Sequence, residues 1–369
     1  MGTTRALFLI AVLALISVGS GIPNAAASGY VQTNLTSDIS GLAPNTDPNL
    51  KNPWGMSFGL NTPFWVSDQV TGVATLYNGA GVPNALVVTT PPAAPPPTGP
   101  TGQVFVGGSG FTLNGGGAAL FVFATLAGTI DAWNGGTTAA VQFQAPDDAV
   151  YTGLAVAGSQ LYAADTRNGK IDVFTNSFQK TTVGGSFTDP NVPAGFTPYN
   201  IQNVGGKLYV EYAHRGFPGG FVGVFDLNGN FLQHISDAHL NSPWGITLAP
   251  ATFGQFGGDL LIGNFGDGMI NAFDPASGAF RGTLSDAAGH PIVNSGLWSL
   301  QFRDPASSFD ANALFFTAGI NGQADGLFGE ISVAPEPGTL AMLTLAAFAL
   351  GFHHLARRTR RVAMRERGR

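Results

Sequence analysis

Phe64-Trp-Val-Ser-Asp-Gln-Val-Thr-Gly-Val-Ala-Thr-Leu-Tyr77 is an apolar run ending in Asp68, a polar turn carrying Gly72, and a second run ending in an aromatic. The same order returns in Leu161-Tyr-Ala-Ala-Asp-Thr-Arg-Asn-Gly-Lys-Ile-Asp-Val-Phe174 and in Leu260-Leu-Ile-Gly-Asn-Phe-Gly-Asp-Gly-Met-Ile-Asn-Ala-Phe273, where Asn264 takes the Asp position. A glycine four residues past the strand end supplies the positive φ that a tight hairpin requires. Looser copies cover residues 120–133, 208–225 and 314–331. Between the two ends Gly and Asn are abundant and helix-period segments are absent, so that region reads as all-β and repetitive.

Six units of roughly 40 to 58 residues fit a β-propeller of six blades. The last unit, residues 296–333, offers only three strands, whereas residues 30–37, Tyr-Val-Gln-Thr-Asn-Leu-Thr-Ser, form an orphan strand. That strand is expected to complete the sixth blade and close the ring without an open edge. A β-sandwich is the rival fold, and the repeated motif favours the propeller. The repeat resembles NHL-type six-bladed propellers, and the whole chain resembles an uncharacterised family of propellers with PEP-CTERM tails. That resemblance implies fold and export but no activity. Residues 91–102, Pro-Pro-Ala-Ala-Pro-Pro-Pro-Thr-Gly-Pro-Thr-Gly, read as an exposed spacer too Pro-rich for a strand, and residues 107–117 as a long loop.

Both ends read as processing segments. Residues 1–27 carry Arg5, an apolar stretch over 6–18 and the triplet Ala25, Ala26, Ala27, which reads as a signal peptide cleaved before Ser28. A membrane anchor is the alternative, but the run is shorter than the roughly 20 residues of a span. At the other end come Pro335-Glu336-Pro337, an apolar segment over 338–352, and a tail with Arg357, Arg358, Arg360, Arg361, Arg365, Arg367 and Arg369. These elements, in this order, resemble the PEP-CTERM sorting signal. The resemblance implies a transmembrane helix that holds an exported protein in the inner membrane of a Gram-negative bacterium. The resemblance further implies that an exosortase-type enzyme cuts near Pro335, Glu336 and Pro337, leaving the protein in the envelope or outside the cell. The arginines suit the cytoplasmic side, and His353 and His354 read as boundary residues rather than metal ligands. A C-terminal anchor that is never cut is the other reading.

Residues 28–335 carry 8 Lys plus Arg against 20 Asp plus Glu, a net charge of −12 against −6 for the whole chain. Such a surface repels nucleic acid and acidic polymers and leaves neutral glycans, small molecules and cations as partners. With no cysteine there is no thiolate zinc site, thiol nucleophile or disulfide. No Gly-x-Ser-x-Gly elbow and no phosphate-binding Gly-Lys-Ser or Gly-Lys-Thr loop occurs.

In a propeller the entries to the innermost strands and the turns between second and third strands share one face. The entries contribute Asn52, Trp54, Tyr199, Asn241, Trp244 and Trp298, and the turns contribute Asp68, Asp165, Arg167, Glu211 and Asn264. Aromatic faces with carboxamides and carboxylates suit a sugar or small polar ligand; the structural alternative is tryptophans packed between blades. Glu211, His214 and Arg215 fall within five positions and form either a general base with an anion-holding Arg or a salt-bridged rim loop. Calcium is the candidate cofactor, with Asp68, Asp165, Glu211 and Asn264 as oxygen ligands. Lactone-hydrolysing six-bladed propellers bind a metal centrally, but no ligand motif here matches theirs residue by residue. Three readings follow: a non-catalytic binding propeller, a metal-dependent hydrolase or lyase with His214 as base, and a structural matrix protein without a ligand.

Overall fold

The computed structural model describes residues 29–91, 98–108 and 110–335. The signal segment, most of the sorting tail and the centre of the Pro-rich loop lie outside the described residues.

The propeller spans Tyr30–Val333. It opens with β1 (Tyr30–Ser37) and the short β2 (Asn45–Thr46). Blade 1 is β3 (Pro53–Ser57), β4 (Phe64–Asp68), β5 (Val73–Tyr77) and β6 (Val88–Thr89). Blade 2 is β7 (Pro100–Phe105), β8 (Phe121–Thr125), β9 (Thr129–Trp133) and β10 (Ala140–Gln144). Blade 3 is β11 (Tyr151–Ala157), β12 (Gln160–Asp165), β13 (Lys170–Phe174) and β14 (Lys180–Thr181). Blade 4 is β15 (Thr197–Val204), β16 (Lys207–Ala213), β17 (Phe221–Phe225) and β18 (Phe231–Ile235). Blade 5 is β19 (Pro243–Leu248), β20 (Leu260–Asn264), β21 (Ile270–Phe273) and β22 (Phe280–Thr283). Blade 6 has only β23 (Leu297–Phe302), β24 (Leu314–Ala318) and β25 (Leu327–Val333) of its own, and β1 pairs antiparallel with β25 to complete it, Tyr30 opposite Val333. The fold is therefore an all-β propeller of six blades, closed by its first strand.

The motif glycines do what the repeat demands. Gly72, Gly169 and Gly268 have φ of 71°, 67° and 76°, and each amide donates to the carbonyl of the strand-end residue four before it. Apolar side chains from facing sheets form six clusters, one between each successive pair of blades, and a seventh lies on the axis. At the seam between last and first blades, Arg303 is only 2% exposed. Its guanidinium lies over Phe309 (3.8 Å), Phe58 (4.1 Å) and Phe64 (4.7 Å), and donates to the Leu60 and Thr62 carbonyls. Loss of hydration there pulls the guanidinium down to about 10.

The Pro-rich loop ends earlier than the sequence reading placed it. Pro100, Thr101 and Gly102 begin β7, the innermost strand of blade 2. Proline is tolerated as the first residue of a strand, and β3 and β19 also begin with one, Pro53 and Pro243. Of the loop read over 107–117, Phe111 and Leu113 turn inward and pack with blades 2 and 3.

Candidate functional site: the two ends of the channel

Each blade contributes its first strand to the central channel, and a glycine ring sets how tightly those strands pack. Gly55, Gly102, Gly153 and Gly245 occupy equivalent positions, judged by their pairing with the second strands. A Cβ on Gly55 would stand 2.4 Å from the Thr101 carbonyl oxygen, and one on Gly245 2.3 Å from that of Trp298. Only glycine permits that approach between neighbouring blades. Where the ring lacks glycine, polar side chains bridge the strands. Asn200 Nδ2 donates to the Trp244 carbonyl (2.6 Å), and Thr317 Oγ1, beside the Ser299 position, donates to that of Trp54 (2.7 Å).

One residue before this ring stand Trp54, Tyr199, Trp244 and Trp298. Trp54 and Trp298 stack at 3.7 Å, Trp244 meets both edge-on, and Tyr199 and Phe265 complete the group. The three tryptophans are 6%, 3% and 0% exposed in chain order for Trp54, Trp244 and Trp298. They fill the axis rather than lining an open ring, and of the three only Trp244 also borders the cavity described below. Trp298 Nε1 donates to Asn52 Oδ1 (2.9 Å) and Trp244 Nε1 to the Thr152 carbonyl (3.2 Å), whereas the buried Trp54 Nε1 has no partner.

The entries and turns do meet at this end. The amides of Gln69, Leu126, Thr166, Phe265 and Gly319, each one past a second-strand end, donate to the residues that precede the inner strands. The polar residues are largely spent in these joints. Asp165 Oδ1 accepts from the amides of Val150 and Asn168; Asn264 Oδ1 accepts from the Asn241 amide; Asn241 Oδ1 accepts from the Gly219 amide; and Asn52 Nδ2 donates to Gln69. Asp68, fully buried, accepts from Thr75, and burial together with Asp47 and Asp38 pushes its carboxyl well above the carboxylate range. Arg167 is exposed.

The sequence reading joined Glu211 to this ring, and the register separates it. Pro198 pairs with Tyr212, as Pro53 pairs with Asp68 and Pro243 with Asn264, so Tyr212 holds the strand-end position in blade 4. Glu211 is one residue earlier and therefore points from the opposite strand face. It is fully buried, neither oxygen has a partner, and burial pushes its carboxyl well above the ordinary range. His214 packs instead on Phe196 and Phe217, and Arg215 is exposed beside Tyr199, whose upward shift it opposes. No salt bridge or acid–base pair joins Glu211, His214 and Arg215.

The calcium set does not assemble either. Asp68, Asp165, Glu211 and Asn264 stand in four blades and on two strand faces, whereas calcium takes six to eight converging oxygens. Among the described residues, the carboxylates close enough to share a cation are Asp147, Asp165 and Asp172. Two lysines already pair with that trio: Lys170 reaches Asp147 at 2.6 Å and Asp165 at 3.8 Å, and Lys180 reaches Asp172 at 2.8 Å.

The opposite end of the channel is open. Beyond the glycine ring, all six inner strands line an axial cavity of ≈ 220 Å³, blade 5 through Trp244. Its polar groups include Ser57, Gln103, Gln202, Ser299 and Gln301, and none of its lining residues is ionisable. This cavity escaped the sequence reading, which followed entries and turns. Its signal was the alternation within the inner strands themselves, Pro-Trp-Gly-Met-Ser57 and Leu-Trp-Ser-Leu-Gln301.

No family model matches the chain. Mimivirus proteins do: the uncharacterized protein R648 of Acanthamoeba polyphaga mimivirus is 33% identical over 84% of this chain and 82% of its own length. The uncharacterized protein L690 of the same virus is 31% identical over 84% of this chain and 87% of its own length. The chain belongs to the family of these uncharacterized mimivirus proteins. Membership in that family brings no assigned activity. Among solved structures, the chain is similar to virginiamycin B lyase from Staphylococcus aureus (12% identity, TM-score 0.49, 83% of this chain, 100% of that one). It is similar also to the WD40 β-propeller domain of Doa1 (8% identity, TM-score 0.48, 81% of this chain, 96% of that one).

Proposed function

We propose that this chain is an exported, non-catalytic binding propeller, delivered by the signal at residues 1–27 and released by an exosortase-type cut near Pro335, Glu336 and Pro337. The observation that carries the binding part is the axial cavity, which offers carboxamides and hydroxyls but no titratable side chain. Such a lining can hold a ligand, whereas general acid–base chemistry needs a group that exchanges protons near neutral pH. The ligand site is thereby moved from the tryptophan end to the open end. A calcium-dependent hydrolase or lyase is less well supported, because its four ligands do not converge.

The delivery part is tested in a Gram-negative host that carries an exosortase. Intact-mass spectrometry of the exported protein is expected to show an N-terminus at Ser28 and a C-terminus near Pro335. Recovery in the cytoplasm with both ends uncut contradicts delivery. Turnover of a glycan or lactone panel that disappears in His214→Ala contradicts the non-catalytic part.

A further inference from the structure

We infer that the open end of the channel receives the uncharged end of a neutral oligosaccharide, with Gln202 and Gln301 as the groups that recognise it. The inference rests on the binding reading above and adds the ligand's chemistry and direction of entry.

Three observations lead to it. First, the lining retains unspent hydrogen-bonding capacity. Gln202 makes no side-chain hydrogen bond among the described residues, and Gln301 uses only its Nε2, on the Met56 carbonyl at 2.7 Å. The two side chains stand at equivalent positions in blades 4 and 6, each two residues past the glycine-ring level, alongside Ser57 in blade 1. They offer acceptors and donors at one depth, which matches a ring of hydroxyls. Second, at ≈ 220 Å³ the cavity is smaller than the ~300–1,000 Å³ of a pocket that takes a whole drug-sized ligand, so it takes one terminal unit rather than a chain. Third, the cavity does not end at its rim. Phe105, Val156 and Asn203 also line a second, shallower groove of ≈ 370 Å³ that runs outward past Phe111 and Gly158 over blades 2 and 3. A terminal unit in the cavity can thus continue as an extended chain along the groove.

Charge selects among polymers. No side chain lining either cavity is ionisable, and the surrounding domain carries a net −12. A peptide terminus brings an ammonium or a carboxylate, which would be desolvated here without a partner. A uronic or sulfated glycan would meet the domain's acidic field as well. A neutral glycan meets neither cost, and its apolar ring faces suit Phe105 and Val156.

The test is isothermal titration of the purified full chain with neutral tetrasaccharides (cello-, chito-, manno- and malto-tetraose), a uronic-acid tetramer and an unmodified tetrapeptide. At least one neutral tetraose is expected to bind, more tightly than its monosaccharide, with no heat from the uronate or the peptide. The double variant Gln202→Leu/Gln301→Leu should lose about tenfold or more in affinity while keeping its melting temperature. His214→Ala/Arg215→Ala, at the other end, should bind as the parent does. Absence of binding by every neutral tetraose, equal binding of the uronate or peptide, or unchanged affinity in the glutamine variant overturns the inference. Loss of binding in the His214/Arg215 variant instead overturns this site but leaves a binding propeller standing. Conversion of a bound sugar to product overturns only the non-catalytic reading.

Discussion

Asp131 shows how position within the repeat decides a residue's fate. It sits on the third strand of blade 2, opposite Phe123, in the place that Asp172 takes in blade 3 and Asn271 in blade 5. Asp172 is satisfied by Tyr151 and Lys180, and Asn271 by Thr283 and the His239 carbonyl. The Asp131 oxygens find no hydrogen-bond partner, and burial pushes the carboxyl up to about 8, with Thr129 acting in the opposite direction. The unfolded carboxyl ionises near pH ~3.9, so its contribution to stability is fully present below that and is lost as pH rises toward 8. Asp131→Asn, the residue blade 5 already uses, should therefore melt on the order of 5 °C higher than the parent at pH 8 and close to it at pH 4. Thermal melts of both proteins across that range check the prediction; equal differences at both ends contradict it. Glu211 carries the same lesson for reading sequence. Its neighbours His214 and Arg215 made it look like part of a charged cluster, but strand period decides facing. A shift of one residue sends a side chain to the other side of the sheet.

At the scale of the element, the second-strand, turn and third-strand unit was legible because its glycine is a backbone requirement rather than a packing preference. Its turn needs φ near 70° whatever surrounds it. The closing role of β1 was legible too, from the strand missing in the last unit. The inner strand of blade 2 was not, because Pro100 looked like a continuation of the Pro-rich loop. Pro-Thr-Gly102 is nevertheless the same signal as Pro-Trp-Gly55 and Pro-Trp-Gly245: a proline start, then the glycine that touches the next blade. Gly245→Ala tests that contact. Its Cβ would meet the Trp298 carbonyl oxygen and Leu300, so a loss of about 1–3 kcal/mol by chemical denaturation is expected. Gly184→Ala, where nothing lies within 4 Å, should be near neutral. Equal effects at the two sites would show that the ring tolerates a wider spacing.

For the whole molecule, the six-fold arrangement concentrates polar side chains at both ends of one axis, and packing decides which end is available. The tryptophans that marked the entries in the sequence fill the axis at their own end, with hydrogen bonds to Asn52 and Thr152 holding two of them. Composition could say that aromatics and carboxamides gather near the axis. It could not say which aromatics spend their faces on each other, because that depends on how close the glycine ring brings the strands. The open end takes its character from residues further along the same strands, which carry amides and no charge. A propeller built this way is filled by aromatics at one end of its axis and holds an uncharged cavity at the other.

The central claim is that this chain binds an uncharged ligand at the end of the channel opposite its tryptophans. A crystal structure of the chain soaked with a neutral tetrasaccharide that binds in solution tests it most directly. The account predicts the terminal sugar in the axial cavity, within hydrogen-bond reach of Gln202 and Gln301, with the following units in the groove past Phe105 and Val156. Sugar bound instead over Tyr199 and Arg215 at the tryptophan end, with the axial cavity holding only water, would contradict it.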